Sequence, residues 1–160
     1  MYHNLDRGFS EDEVVFIDCK LGTYSYDHPQ FPKTTLVRPT IQADLRQLPL
    51  RSGLFTLVIF DPPHDQFGKN SYMNLRYGSL SVKQYEDMLR IANEEFSRVL
   101  QPGGCILAKL LDRRTEVTKR ILKNFKPLLD ISRKSLSQRS RSRTHHILFV
   151  KSACIEFRTE

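Results

Sequence analysis

No run of about 18 apolar residues occurs in this chain of 160 residues, so no segment is long enough to cross a bilayer as a helix. The first residues, MYHNLDRGFSEDEVVF, carry acids where a secretory leader would carry its apolar stretch. Cysteine is scarce as well. Cys19, Cys105 and Cys154 are odd in number, widely separated and in no CxxC spacing, which argues against a disulfide framework and against a cysteine zinc site. These absences predict a cytoplasmic chain with no membrane partner. No internal repeat is present, and 39% hydrophobic with 27% charged residues is the composition of one soluble globular domain, here 1–160. Acid is in deficit: 25 Lys and Arg stand against 18 Asp and Glu, a net charge of +7 that favours a polyanionic partner and also serves solubility.

What the chain does contain is an alternation of strands and helices. After a polar segment at 1–13, Val14-Val15-Phe16-Ile17 reads as a buried strand that delivers Asp18 at its carboxyl end. From Lys20 to Pro39 the spacing of Gly22, Pro29, Pro32 and Pro39 rules out a long helix, leaving a short extended piece at Thr34–Val37. Thr40–Asp44 is a second strand ending on an acid, and Leu54–Phe60 is the most apolar run, stopped by Asp61-Pro62-Pro63-His64. Ser81 and Gln84 form a capping-box pattern that opens a helix with Val82, Tyr85, Met88, Leu89, Ala92, Phe96, Val99 and Leu100 on one face. Pro102-Gly103-Gly104 is expected to end it. Cys105–Leu111 is a further strand, and a helix with Val117, Ile121, Leu122 and Phe125 on one side follows. Strands near Leu128–Ser132 and His146–Val150 close the pattern, with a basic loop, 133–144, between them. This order predicts an open α/β sheet, mostly parallel, with an antiparallel C-terminal strand, helices on both faces and a reduced N-terminal half. Ligands of such sheets sit at the carboxyl ends of the strands, which makes Asp18, Asp44 and Asp61 neighbours in principle.

The corner Phe60-Asp61-Pro62-Pro63-His64 carries the most chemistry. The residue before a proline is driven to an extended conformation and proline donates no backbone hydrogen bond, so the corner is stiff and rich in acceptors without competing donors. An exocyclic amino group has two N–H donors, and the Asp61 carboxylate and the Pro62 carbonyl would take one each. The same residues also suit an ordinary strand-ending turn. In the loop 65–80, Phe67, Tyr72 and Tyr77 are interleaved with Lys69 and Arg76, which suits base stacking and phosphate contact or, equally, a surface loop pinned by its own aromatics. Arg133, Lys134, Arg139, Arg141 and Arg143 fall within 11 residues that contain no acid, a stretch suited to following a nucleic-acid backbone rather than to a merely solvated hairpin. His145 and His146 are adjacent on a strand and face opposite sides, so with His64 they do not compose a metal site.

Taken in order, Ala43-Asp44-Leu45-Arg46-Gln47-Leu48-Pro49, Phe55 to His64 and Arg98-Val99-Leu100-Gln101-Pro102-Gly103-Gly104 resemble the second half of class I S-adenosylmethionine (SAM) dependent methyltransferases, which have a Rossmann-like sheet. The matching patterns there are A-D-x-x-x-L-P, F-D-x-V-x-x-D-P-P and R-V-L-K-P-G-G. More loosely the chain is similar to a group of small methyltransferases with D-P-P-H, matched after it by Gly68-Lys69-Asn70-Ser71, Arg76-Tyr77-Gly78 and Thr144-His145-His146-Ile147-Leu148-Phe149-Val150-Lys151. The resemblance covers 40–151 by motif and 14–39 by position only.

The resemblance implies that Asp44 accepts from the adenine amino group of SAM with the Leu45 backbone beside it, and that Asp18 lies near the methionine or ribose end. Cys19, Gly22 and Tyr24 occupy the place of the usual glycine-rich turn, in which this chain has a single glycine. Asp61, Pro62, Pro63 and His64 match the motif of amino-group methyltransferases, whose fourth residue is usually an aromatic that stacks on the base; here it is His. The expected function is methylation of an exocyclic amino group of a nucleobase in DNA or RNA. The alternative is a non-catalytic methyltransferase-like nucleic-acid-binding module. No residues remain for a separate target-recognition domain, so a homodimer or a partner subunit would supply specificity.

Overall fold

The computed structural model of the protein describes residues 14–25, 34–63, 74, 78–134 and 143–152. They fall into two compact units, 1–49 and 50–160.

In the first unit, β1 (Ile17–Asp18) pairs in parallel with β4 (Ile41–Gln42), in the register Ile17 to Ile41 and Asp18 to Gln42. The backbone bonds Ile41 N to Phe16 O and Ala43 N to Asp18 O, each 3.1 Å, extend that pairing past both ends. Both strands are shorter than the apolar runs suggest. Between them, β2 (Gly22–Ser25) pairs antiparallel with β3 (Thr34–Val37), Gly22 opposite Val37 and Ser25 opposite Thr34. The expected extended piece is therefore one half of a ladder whose other half reads in the sequence as a turn. Gly22 sits at φ +121°, a conformation that side chains disfavour.

The second unit is built on a four-stranded sheet in the order β5, β6, β8, β7. β5 (Phe55–Phe60) is parallel to β6 (Leu100–Leu111), while β8 (Arg143–Lys151) is antiparallel to both β6 and β7 (Phe125–Lys134). The α/β class and the antiparallel last strand are as expected. Parallel ladders are fewer than the alternation suggested, because β7 and β8 form a hairpin.

Helix α1 (Val82–Val99) begins at the capping box read from the sequence: Ser81 Oγ accepts from Gln84 N at 3.3 Å, and Gln84 Oε1 accepts from Ser81 N at 2.9 Å. It ends at Val99, before the Pro-Gly-Gly, where its last carbonyls are met from elsewhere in the fold: the Lys151 ammonium donates to Ser97 at 2.7 Å and to Leu100 at 2.9 Å, and the backbone N–H groups of Gly53 and Leu54 donate to Arg98 and Val99 at 2.8 Å. Pro102-Gly103-Gly104 instead lies within β6, where the register against β5 slips between Phe55–Leu100 and Leu57–Cys105. Gly104 allows that slip, since a Cβ there would stand 3.0 Å from the Gln101 carbonyl oxygen and 3.1 Å from Leu100 Cδ2.

The core lies between this sheet and the two helices. Ile106, Ala108, Leu110, Ile147 and Phe149 are fully buried, and Phe60, in register with Ala108, meets Phe96 of α1 edge-on at 5.3 Å. Helix α2 (Asp112–Ile121) packs on α1 through a buried hydrogen bond of 2.8 Å between Tyr85 and Thr118. Both described helices thus cover one face. On the alternate face Ile59 and Ile131 are 59% and 58% exposed, and Leu57 and Leu129 are exposed beside them. The buried side of α2 is Arg114, Thr115, Thr118 and Ile121 rather than the expected Val117 stripe, and Leu122 and Phe125 are buried beyond the helix end.

Candidate functional site

Asp61 emerges at the carboxyl end of β5, next to the end of the Phe60–Ala108 pairing, where the neighbouring strand presents Lys109. The Lys109 ammonium donates to Asp61 Oδ2 at 3.0 Å, both side chains about one third exposed. Pro62 is buried and Pro63 half-buried, so the corner is seated in the unit beneath an exposed Asp61. The chain returns past it at Gly78, close by the Pro63 ring, and is anchored two residues later by Arg114, which donates to the Leu80 carbonyl at 2.7 Å. Burial of Arg114 against the Tyr85 ring, 4.3 Å from its centroid, fixes that anchor. His64, Lys69, Arg76 and Tyr77 lie outside the described residues.

The other carboxylates expected at strand ends belong to the first unit. Asp18 Oδ1 accepts from Lys20 N at 2.8 Å, closing the turn that follows β1, and Gln42 Nε2 holds the Cys19 carbonyl at 3.2 Å. Desolvation and then the adjacent Asp18 raise the Cys19 thiol above its ordinary value. Tyr24 Oη donates to the Leu21 carbonyl at 3.3 Å, with the Lys20 ammonium 5.6 Å from its ring centroid. Asp18, Cys19, Gly22 and Tyr24 therefore share one corner. Asp44, just past β4, is engaged by Arg46. Its Oδ1 accepts from the Arg46 backbone N and Nε, both at 2.9 Å, and Oδ2 meets Nε and Nη2. The side-chain hydrogen bonds from Arg46 hold this carboxyl below the usual carboxylate range. Leu45 is half-buried.

Both carboxylates stand at the ends of paired parallel strands, Asp18 accepting from Lys20 N and Asp44 from Arg46, and nothing lies within 4 Å of the position a Cβ would take at Gly22.

At the far end of the β7–β8 hairpin, Lys134 is opposite Arg143 and Arg133 opposite Thr144, which gathers three of the five predicted cations; Arg139 and Arg141 lie outside the described residues. All three described cations are exposed. The hairpin is clasped near this same end. His145 Nε2 meets Asp112 Oδ1 at 2.7 Å and Nδ1 meets Asp130 Oδ1 at 2.8 Å, while Asp112 Oδ2 accepts from Arg143 N at 2.7 Å and Lys119 donates to Asp130 Oδ2 at 3.0 Å. Desolvation opposes the charged imidazole, but the hydrogen bonds and charges of Asp130 and Asp112 outweigh it and the His145 pKa is raised. Asp112 is lowered, first by the Arg143 backbone bond and then by His145.

Two functional contacts have weak or no trace in the sequence. Lys109 is the single charge within the apolar run Cys105–Leu111, a signal visible in the pattern. Asp112 and Asp130 as partners of His145 had no such signal, since 33 and 15 residues separate them from it.

No family model matches the chain, and no curated protein matches it. Among solved structures it is similar to the PH0226 protein of Pyrococcus horikoshii OT3, at 14% identity over 69% of this chain and 57% of that one, with a TM-score of 0.46. It is similar to the N-methyltransferase NodS of Bradyrhizobium japonicum WM9 in complex with S-adenosyl-L-homocysteine, at 17% identity over 69% of this chain and 53% of NodS, with a TM-score of 0.46. TrmN of Thermus thermophilus matches at 21% identity over 70% of this chain and 28% of its own, with a TM-score of 0.44. The chain thus spans from 28% to 57% of these structures' lengths. No described helix is long and apolar enough to cross a membrane.

Proposed function

We propose that the chain is a SAM-dependent methyltransferase, one methyltransferase-like domain over 1–160, that acts on an exocyclic amino group of a nucleobase in DNA or RNA. The observation that carries this reading is the seated Asp61-Pro62-Pro63 corner at the carboxyl end of β5, with its carboxylate fixed by Lys109. Asp61 and the Pro62 carbonyl would each accept one N–H of the target amine. That would hold the nitrogen at near-attack distance and favour the tetrahedral form it takes as the methyl passes from sulfur to nitrogen, the surplus amine proton leaving to solvent. Bound SAM supplies an electrophilic sulfonium methyl. Asp18, Cys19, Gly22, Tyr24, Asp44, Leu45 and Asp61 are the residues assigned to holding it. His64 would lie against the base, and Lys69, Arg76, Tyr77 and the hairpin cations Arg133, Lys134, Arg139, Arg141 and Arg143 would hold the strand. A second copy or a partner subunit would supply target specificity.

A non-catalytic nucleic-acid-binding module is the second reading, favoured by one observation: Arg46 already occupies the Asp44 carboxylate. Calorimetric titration with SAM and S-adenosyl-L-homocysteine separates the two. The methyltransferase reading expects micromolar binding and transfer of labelled methyl to DNA or RNA, with Asp61→Ala abolishing transfer while SAM affinity stays within about threefold. No heat and no transfer, with nucleic-acid binding retained, would establish the module instead.

A further inference from the structure

We propose that the outer edge of β7 pairs antiparallel with the same edge of a second copy of this chain, about a two-fold axis through Ile131, so that the two four-stranded sheets join into one. The pairing does not depend on any activity of the chain.

In the order β5, β6, β8, β7 the last strand is hydrogen-bonded, among the described residues, to β8 alone, so its other edge offers a row of backbone donors and acceptors. Edge strands of soluble proteins are commonly kept short, kinked or charged. β7 runs for 10 residues, and every residue after Phe125 is exposed. Pro127, which has no N–H to donate, and the register shift between Pro127 and Leu129 spoil its first part as a template. From Leu128 to Lys134 the strand carries neither feature, and it leaves Leu128, Leu129 and Ile131 at 68%, 52% and 58% exposure. Its one acid, Asp130, is held by His145 and Lys119 of the same chain.

A second copy fits this edge because the stretch is complementary to itself. Directly opposed residues of antiparallel strands share a face of the sheet, so a two-fold axis normal to the sheet must pass through a residue. Centred on Ile131, residues 128–134 of both copies pair. Ile131 meets Ile131, Leu129 meets Arg133 and packs on its aliphatic stem, Asp130 meets Ser132, and Leu128 meets Lys134. Lys134 also stands diagonal to Asp130 of the second copy, within reach of a long side chain, and the symmetry makes that opposite-charge contact twice. Centring on Asp130 would instead oppose two carboxylates and draw Pro127 into the ladder, while centring on Ser132 would leave Leu128 and Leu129 outside the paired residues 130–134. One strand edge is small beside the roughly 800 Å² per partner of a standard interface, so the expected association is weak, with Kd on the order of 10–100 µM.

The test uses the full chain. Sedimentation equilibrium over about 5–500 µM should show a reversible monomer–dimer equilibrium. Ile131→Lys sets two ammonium groups opposite each other and should weaken the dimer by at least about tenfold, with thermal unfolding verifying that the variant is folded. Ile131→Cys brings two thiols together at a Cα separation of about 4.5–5.5 Å, inside the range a disulfide spans. Mild oxidation should then link two copies at position 131, identified by mass spectrometry of the joined peptides. Lys126→Cys lies on the same strand about 33 Å from its counterpart and should not link to itself. A chain that stays monomeric at every concentration overturns the proposal, as does growth past the dimer. A dimer that Ile131→Lys leaves intact, or that links at position 126 as readily as at 131, puts the interface elsewhere and overturns it too.

Discussion

Replacing Thr118 by Val tests whether the two helices are joined through a directed hydrogen bond. Tyr85 and Thr118 are both fully buried. The threonine hydroxyl proton is committed to the Arg114 carbonyl at 2.7 Å, so the phenol must donate to Thr118 Oγ1 across 2.8 Å. Burial pushes the Tyr85 phenol up to about 12, which keeps it a donor throughout the neutral range. Thr118→Val substitutes a methyl for the acceptor and strands the phenolic O–H in a dry site, at a cost of about 1–3 kcal/mol. Tyr85→Phe removes the donor but leaves Thr118 bonded to Arg114 and keeps the ring under the guanidinium, so it costs about 0.5–1.5 kcal/mol. The double variant strands nothing, and it should be no less stable than Thr118→Val alone. In a chain of this size each kcal/mol moves the midpoint by about 2–4 °C, so thermal unfolding followed by far-UV circular dichroism resolves the order. Additive effects in the double variant, or a Tyr85→Phe protein less stable than Thr118→Val, would refute the assignment of the hydrogen bond.

Three further outcomes are expected. The raised His145 makes a contribution that is complete below its unfolded value near 6.5 and is lost as pH rises through its folded value, while the lowered Asp112 and Asp130 contribute above 3.8 and lose that contribution as pH falls through their folded values. Unfolding stability relative to His145→Gln should therefore be greatest between those limits and decline as pH rises above the ordinary imidazole range, and parallel profiles for the two proteins would dismiss the clasp. Combined Arg133→Ala, Lys134→Ala and Arg143→Ala should flatten the log–log salt dependence of nucleic-acid binding by about 0.7–0.9 for each phosphate no longer neutralised, measured by fluorescence anisotropy, and an unchanged slope would remove the hairpin from the interface. Arg46→Ala should change SAM affinity by less than about fivefold, because exposed ion pairs contribute little, and a gain beyond about tenfold in calorimetry would make Arg46 a true blocker of Asp44.

The sequence was most legible where one local rule decides. The Ser81 and Gln84 capping box set the start of α1 to the residue, and the two prolines after Asp61 set the end of β5. It failed where a distant group overrides the local signal. Pro102-Gly103-Gly104 looks like a helix stop, but the helix ends earlier, where Lys151 meets its last carbonyls, and β6 absorbs the three residues as an irregularity. The ladder partner of Thr34–Val37 is hidden because Gly22 carries a turn signal, although its left-handed backbone opens a strand here. For the candidate site, Asp61 is readable from its prolines, whereas its partner Lys109 follows only from strand order, since 48 residues separate the two. The apolar stripe expected around α2 is met at Ile121, Leu122 and Phe125 and is half-met at Val117, but the helix also buries Arg114, Thr115 and Thr118, which a count of hydrophobic residues cannot show.

That polar face has a physical explanation in the corner it supports. A buried guanidinium and two buried threonines are costly unless each is hydrogen-bonded. Thr115 donates to the Leu111 carbonyl at 3.3 Å, Thr118 donates to Arg114 and receives Tyr85, and Arg114 donates to Leu80 where the chain returns from the Asp61 corner. An apolar α2 would pack the core equally well and would leave Leu80 without its donor. The segment re-entering past Pro63 would then lose the anchor that Arg114 supplies just before the α1 cap. The polar residues of α2 thus carry the rigidity of the core, through Tyr85 and Arg114, to residues 78–80 beside Pro63. The amine acceptor proposed for Asp61 and Pro62 would need that rigidity, because a carboxylate and a carbonyl can share one nitrogen only while their separation stays fixed.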